Sequence, residues 1–396
     1  MPANEVVVAG HICLDLTPKF PDTGVRSLSD ILVPGSLVVV DECVVSTGGP
    51  VANTGLALRK LGVDCLLMGK VGEDAFGDLV AARLEEYDCA AGIVRIGGEQ
   101  TAYTVVIAPP GIDRLFLHNP GANNSFSGDD IDYAAVEQTR VFHLGYPPLL
   151  RRLYEDGGRE LVSIFRRARE AGATTSLDMS LPDPESASGS VDWDAILRKV
   201  LPYTDLFLPS AEEVLYCLEP EKFRHLRAQA AEANTGLLDV LTPEDYSPLG
   251  RRLVEYGAGV AALKSGHRGI YVRTADRERL DDFGRAPVGD TDNWADREVW
   301  EPAYRVENVA SATGAGDSAI AGFLAAFLRG QTIEGTLRYA TAVGARNVMR
   351  HDAISGLLGY HETTEMLSAM PKAELDFRET DWQYDAERRL WHGPNA

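Results

Sequence analysis

Residues 307–330 read ENVASATGAGDSAIAGFLAAFLRG, a glycine-rich turn that runs directly into an apolar segment, with one acid, Asp317, at the junction. Ile320, Phe323, Leu324, Phe327 and Leu328 recur at i, i+3, i+4, i+7 and i+8, which is one face of an α-helix. Gly330 is the expected stop just past its end. The helix therefore begins near Ala315 or Gly316, and its first free N–H groups belong to Gly314, Ala315, Gly316 and Asp317. Those amides and the positive end of the helix dipole make an anion site, which the bare Gly314 and Gly316 leave open to close approach. The dipole contributes roughly 0.3–1 kcal/mol to such an anion. Alone, the turn has two readings. Asp317 either complements the dipole or is a catalytic carboxylate beside a phosphate or oxyanion hole.

The totals narrow the choice. A chain of 396 residues, 45% hydrophobic, can bury one large α/β domain or two smaller ones. A formal net charge of -21 argues against nucleic acid or an anionic membrane as partner, because both are bound through positive charge. Any phosphate site must be local, built from backbone amides, a metal ion and a few cations. The cysteines at 13, 43, 65, 89 and 217 form no CxxC and no zinc spacing with a histidine. Most of them read as small buried side chains in a reducing compartment. MPANEVVVAG enters a strand without a basic leader, and no apolar run approaches ~18 residues. The cytoplasm is the expected location.

Along the chain, EVVVAG (5–10), DCLLMGKVG (64–72), VFHLG (141–145), TTSLDMS (174–180), TDLFLPS (204–210) and GVAALKSG (259–266) read as core strands. PVANTGLALRKLG (50–62) and AFGDLVAARLEEY (75–87) read as helices. The alternation predicts an α/β fold, with a mostly parallel sheet covered by helices on both faces. Strand signals at 17–47 and 101–119 break the alternation and read as a small second sheet. Residues 219–247 and 275–297 are polar and read as insertions or surface loops. The acidic tail after 361, with its scattered aromatics, is expected to pack on the surface or partly fray. GDTDNWAD (289–296) lacks the glycine and glutamate spacing of a calcium loop. His11, His118 and His143 have no local metal spacing and read as structural.

Ligands in such sheets bind beyond the C-terminal strand ends. Polar residues there are Asp15, Gly48, Gly49, Asn53, Asp178 and Glu213, with Gly266 and Gly269 around a tight turn. Singly each reads as a cap, a turn or a solvated residue. Their joint order is more specific. GG-x3-N at 48–53 is followed by G-x-D-x2-G at 72–77, L-x2-G-x2-G at 263–269 and T-G-A-G-D at 313–317. Through GGPVANTGLALRKLG, GKVGEDAFG and ATGAGDSAIAGF, the chain resembles the ribokinase-like, or PfkB-type, carbohydrate kinases from about residue 6 to about residue 358.

That resemblance implies a division into an α/β core (1–16, 48–100 and 120–360), a β lid (17–47 and 101–119) and a C-terminal acidic extension (361–396). It implies that the turn Gly314, Ala315, Gly316 wraps the phosphoryl group in transfer and that Asp317 takes the hydroxyl proton. Asp15, Gly48, Gly49 and Asn53 match positions that hold the acceptor. Lys264, Gly266, Gly269, Thr313, Gly314, Gly316 and Asn347 match the nucleotide side, as does the Gly356 loop. Glu213 matches an acid that organises magnesium through water. ATP and Mg2+ are thus the implied cofactors, with a sugar or nucleoside as small-molecule partner. The lid is also the dimer interface in many relatives, so a homodimer is expected.

Three departures stand out. Ser210 replaces the asparagine of Asn-x-x-Glu. MSLPD follows Asp178 in place of Pro-Asn-x-Arg, so a phosphate-side cation is missing there. Ser311 replaces an aspartate that helps form a monovalent-cation site, which leaves that cation open. The expected function is ATP-dependent phosphorylation of a sugar or sugar-like alcohol. A nucleoside kinase of the same fold, with Phe20, Tyr103 or Phe116 stacking on a base, is the first alternative. A non-catalytic sugar-binding descendant is the second. A Rossmann dehydrogenase is disfavoured, because GHICLD follows the first strand with no GxGxxG.

Overall fold

The computed structural model describes residues 4–22, 24, 27–112, 115–350, 352–367, 370–377 and 380–394. Val6–Gly10 is buried along its whole length, as a strand covered on both faces must be. It pairs in parallel with Cys65–Gly72 on one side and Val141–Gly145 on the other. The parallel run continues outward through Thr174–Leu177, Leu206–Phe207 and Val260–Lys264, and on the opposite side to Ile93–Ile96. The expected strand at 204–210 is short because Ser210 already caps the next helix.

Beyond Val260–Lys264 the sheet turns antiparallel, through Ile270–Thr274 and Glu298–Glu301. Two C-terminal strands, Leu390–His392 and Gln383–Asp385, complete an 11-stranded sheet among the described residues. Of the two expectations for the acidic tail, packing holds rather than fraying, and it goes further than surface packing because the tail joins the sheet. Phe377 and Trp382 are buried against Trp300, with ring centroids 5.2 and 6.1 Å away. The scattered aromatics of the tail bury more apolar area than its charges can keep in water.

The two polar segments are corrected likewise. Residues 219–247 carry the helices Pro220–Glu232 and Leu237–Val240 and the start of Pro243–Glu255, with Phe223 and Tyr246 buried. Residues 275–297 carry the helices Arg277–Asp281 and Thr291–Trp294, with Trp294 buried. Pro220–Glu232 buries only Phe223 and Ala230, and Leu237, Leu280 and Trp294 anchor the three short helices, too few to show as periodicity. Asp290, in the calcium-like stretch, is a helix cap that accepts from Asp292 N–H at 3.1 Å.

A separate four-stranded sheet is built from Cys43–Gly48, Cys13–Pro18, Tyr103–Ile107 and Leu115–Asn119. It starts at Cys13 rather than residue 17, so Asp15 rides on a lid strand. Tyr103–Ile107 and Leu115–Asn119 fall within the expected signal at 101–119, of which 113–114 lie outside the described residues. Among the described residues no helix is long and apolar enough to cross a membrane.

The glycine-turn helix, Ala315–Leu328, is buried on every side from Asp317 onward, not only along the expected stripe. It lies between Pro50–Lys60 and Ile333–Asn347. Gly322 permits this, because a Cβ there would come within 2.9 Å of Val343. Gly330 ends the helix at φ +66°, as expected of a C-terminal glycine.

Candidate active site

Gly314 caps the helix at φ +71°, a conformation that favours glycine. The first i→i−4 bond runs from Ser318 N–H to Gly314 O at 2.8 Å, and Ala315 N–H, expected to be free, donates to Ala312 O at 3.3 Å, which leaves the amides of Gly316 and Asp317 for an anion. Asp317 is 2% exposed. Its Oδ2 accepts from Asn53 Nδ2 at 2.9 Å. The hydroxyl of Tyr146 donates to Oδ1 at 3.0 Å and Oδ2 at 3.1 Å. Burial raises the Asp317 pKa, while the bonds from Asn53 and Tyr146 and the charge of Lys264 oppose that rise.

On the acceptor side, a Cβ at Gly48 would sit 2.3 Å from Asp15 Oδ2, and one at Gly49 would sit 2.5 Å from His11 Nδ1. Both glycines are thus required by the side chains opposite them. Burial pushes the Asp15 carboxyl up to about 6, and the nearby Asp317 charge adds to the rise. Asn53 Oδ1 is buried without a hydrogen-bond partner, a free acceptor beside Asp317. Asp15 on one lid strand aligns with Thr104, and Thr104 with His118 on the next. The three therefore share one lid face. Thr104 Oγ1 lies 3.0 Å from His118 Nδ1.

On the opposite side of the turn lies a cavity of about 720 Å³. Its wall includes Lys264, Gly266, Gly269, Ala315, Gly316 and Val348. Lys264 packs against the turn, since a Cβ at Gly316 would meet its Cε at 3.3 Å. Its Nζ donates to Asp178 Oδ1 at 2.6 Å and also to Leu208 O. Lys264 thus places an ammonium beside Asp178, where the segment after Asp178 brings no cation of its own. Burial pushes the Asp178 carboxyl up, and the Lys264 ammonium works against it. Ser210 substitutes for asparagine as a helix cap. Its N–H donates to Glu213 Oε2 at 2.6 Å, and Glu213 N–H donates back to Ser210 Oγ at 3.2 Å. Burial raises the Glu213 pKa, against the charge of Lys264.

Several expected nucleotide-side residues lie elsewhere. Asn347 is buried, and its Nδ2 donates to Ser318 Oγ at 3.1 Å and Ala353 O at 2.7 Å. It does not line the cavity. The Gly356 loop does not line it either. Its Ala353 packs behind Gly314, where a Cβ would meet Ala353 Cβ at 2.6 Å. Asn347 and that loop brace the turn from outside the cavity. Thr313 is also absent from the wall, its N–H held by Ser311 Oγ at 3.1 Å, and Gly314 faces Asn53 rather than the cavity.

Tyr146 and His11 were missed by sequence reasoning. Tyr146 has a left-handed backbone, φ +63° and ψ +49°, unusual for a bulky residue and a mark of a constrained site. His11 is buried with neither ring nitrogen hydrogen-bonded, its ring 5.3 Å from His118 and 6.1 Å from Tyr146. Burial brings its pKa down to about 3, so it is neutral. Both follow the C-terminal ends of core strands directly, which was the available signal. His143 is structural as expected, with Nδ1 2.9 Å from Ser176 Oγ.

The sequence model of the pfkB family carbohydrate kinases matches residues 3–358. An uncharacterized sugar kinase of Archaeoglobus fulgidus is 25% identical over 303 residues, 76% of this chain and 98% of that protein. The ATP-dependent ribose-1-phosphate kinase of Halopiger xanaduensis is 28% identical over 311 residues, 78% of this chain and 83% of that protein. The Arabidopsis thaliana ribokinase complexed with ribose and ATP superposes with a TM-score of 0.66 at 20% identity, over 92% of this chain and 99% of that one. With most of its length matched, and with the glycine turn and its acid built as described, the chain belongs to the pfkB family of carbohydrate kinases.

Proposed function

We propose that the protein transfers the γ-phosphoryl group of ATP to a hydroxyl of a sugar or sugar-like substrate. The observation that carries this reading is the place of Asp317. Its helix start lies between the 720 Å³ cavity, which Ala315 and Gly316 line, and the acceptor pocket we assign to Asp15, Gly48, Gly49 and Asn53, with Asn53 bonded to Asp317 and Asp15 close enough to feel its charge. An acceptor hydroxyl presented from that pocket donates its hydrogen bond to the Asp317 carboxylate. The proton passes to that carboxylate as the oxygen attacks in line. The amides of Gly316 and Asp317 and the Lys264 ammonium face the charge that develops on the transferred group. Asn53 and Tyr146 hold the carboxylate in one orientation, worth more here than basicity.

Magnesium usually keeps several waters and takes only one or two carboxylates besides substrate phosphates. Glu213 fits that role, because one of its oxygens is held by Ser210 and the other is left for a hydrated ion. Bound there, the ion would neutralise phosphate charge. Ser311 brings no charge to its loop, so we infer no strong dependence of turnover on potassium.

A nucleoside acceptor is the second reading. Phe116 is two residues from His118 on the same strand, hence on the same lid face as Asp15. Tyr103 turns the other way and packs 5.4 Å from Phe76. A dimer through the lid is consistent with exposed Leu37 (90%), Val39 (74%) and Leu117 (51%).

The test is a magnesium-ATP turnover screen against sugars, sugar phosphates, polyols and nucleosides, reading ADP release, with Asp317→Asn as blank. Turnover with a sugar supports the first reading, and turnover with nucleosides alone replaces it with the second. Silence across the panel with ATP still bound would leave a sugar-binding protein without catalysis.

A further inference from the structure

The family match ends at residue 358, yet the chain after it returns to the nucleotide-side cavity. Residues 370–377 run beside the segment that follows Glu298–Glu301. Arg305 N–H donates to Pro371 O at 2.8 Å, and Ala373 N–H donates to Ala303 O at 2.7 Å, around a bridge between Tyr304 and Lys372. The strap is held at both ends. Before it, Tyr304 Oη donates to Leu367 O at 3.2 Å, and Leu367 and Met370 pack on Tyr304 and Ala345. Within it, Lys372 forms a buried ion pair with Glu301 and donates to Arg389 O at 3.1 Å. After it, Phe377 and Trp382 join the core. Two strap residues, Ala373 and Glu374, form part of the cavity wall.

The cavity is polarised. Lys264 and Gly316 mark the phosphate end. Ile270 pairs with Lys264, Glu301 pairs with Ile270, and Lys372 binds Glu301. Two strand spacings already place the strap on the order of 10 Å from Lys264. Val306, Val309, Ala345 and Val348 give the cavity an apolar lining that suits a base. Glu374 is exposed at this rim. A carboxylate accepts hydrogen bonds and repels phosphate, so it serves only the nucleoside part of a nucleotide.

We propose that the C-terminal strap is a wall of the donor site and that Glu374 is a donor-selecting residue, its carboxylate accepting a hydrogen bond from an O–H or N–H of the bound nucleoside. This rests on reading the cavity as the ATP site. The donor group is either a ribose hydroxyl or the base amino group, and the test separates them.

Calorimetric titration of the full-length protein with Mg-ATP, Mg-2′-deoxy-ATP and the Mg complex of purine riboside triphosphate, which lacks the 6-amino group, needs no acceptor sugar. Glu374→Ala is expected to weaken ATP about tenfold, as for one hydrogen bond to a charged group. The analogue that lacks the bonded donor escapes that loss: the deoxynucleotide if the ribose 2′-hydroxyl is bound, the purine riboside nucleotide if the amino group is. Ala373→Trp, which fills the wall, is expected to weaken all three, with an unchanged thermal transition confirming its fold. Wild-type affinity in both variants overturns the proposal, and an equal loss for all three nucleotides in Glu374→Ala overturns the hydrogen bond. Failure of the wild-type protein to bind ATP overturns instead the assignment of the cavity.

Discussion

The hydroxyl of Tyr146 bridges both carboxylate oxygens of Asp317, at 3.0 and 3.1 Å, across 171 residues of sequence. The bond stabilises the ionised carboxylate and fixes its plane. Asp317 Oδ2 also takes Asn53, so Oδ1 has more acceptor capacity left for a substrate hydroxyl. Tyr146→Phe keeps the ring and removes only the donor. Turnover is expected to fall about ten- to a hundredfold, the equivalent of a charged hydrogen bond. The acidic limb of the kcat profile should move to higher pH, because the bond that favours the charged form is gone. An unmoved limb with unchanged kcat would show that Tyr146 only fills space.

Asp317→Asn is expected to lower kcat by at least ~10²-fold while nucleotide affinity survives, as a lost positioned base requires. Asn53→Ala differs in kind. Asn53 holds Asp317, and its buried Oδ1 has no hydrogen-bond partner. Acceptor KM should rise and kcat should fall together, with the KM for ATP little changed. Steady-state kinetics with both substrates varied separates these effects.

Lys264 is the cation among three carboxyls whose pKa values are raised, Asp178, Glu213 and Asp317. Lys264→Met leaves Asp178 buried without its partner, which typically costs about 3–5 kcal/mol. The loss should be largest at pH 8 and shrink at pH 5, where an unpaired Asp178 takes up a proton. Nucleotide affinity should fall as well. Thermal unfolding at the two pH values, with ATP titration, checks this, and a pH-independent loss would exclude the charge argument.

Asp15 has a folded pKa of about 6, above its ordinary 3.8. The folded state therefore holds the proton more tightly than the unfolded chain. As pH rises from about 4 through 6, stability falls, and above 6 the full cost of the buried charge is present. Asp15→Asn should raise stability above pH 6, on the order of 1–3 kcal/mol, with the gain fading as pH falls toward 4. Acceptor binding should suffer in the same variant. Denaturant titrations at pH 4.5 and 8 decide whether the sign is right.

Much of this architecture was legible beforehand. Val6–Gly10, Cys65–Gly72, Val141–Gly145 and the helices at 50 and 75 are long local patterns, and local patterns survive folding. The helices Pro220–Glu232 and Leu237–Val240 were not legible. They are docked by one or two anchors such as Phe223 and Leu237, amid charges that dominate any window. The tail's place in the sheet was missed for the same reason, since Phe377, Trp382 and Trp391 are spaced by no helical or strand period.

The sequence by itself determined the glycine turn, the helix behind it and the acid at its start, because backbone freedom and apolar periodicity are properties of neighbouring residues. Only the tertiary structure decided what that acid touches. Tyr146, Asn53 and Lys264 come from separate strand ends and one helix start, and their meeting depends on strand order and on glycines that let side chains approach. Only the fold, too, brought Glu374 from the C-terminal extension to the cavity wall. Side-chain chemistry is written in the sequence, but distances across a sheet are set by which strands pair.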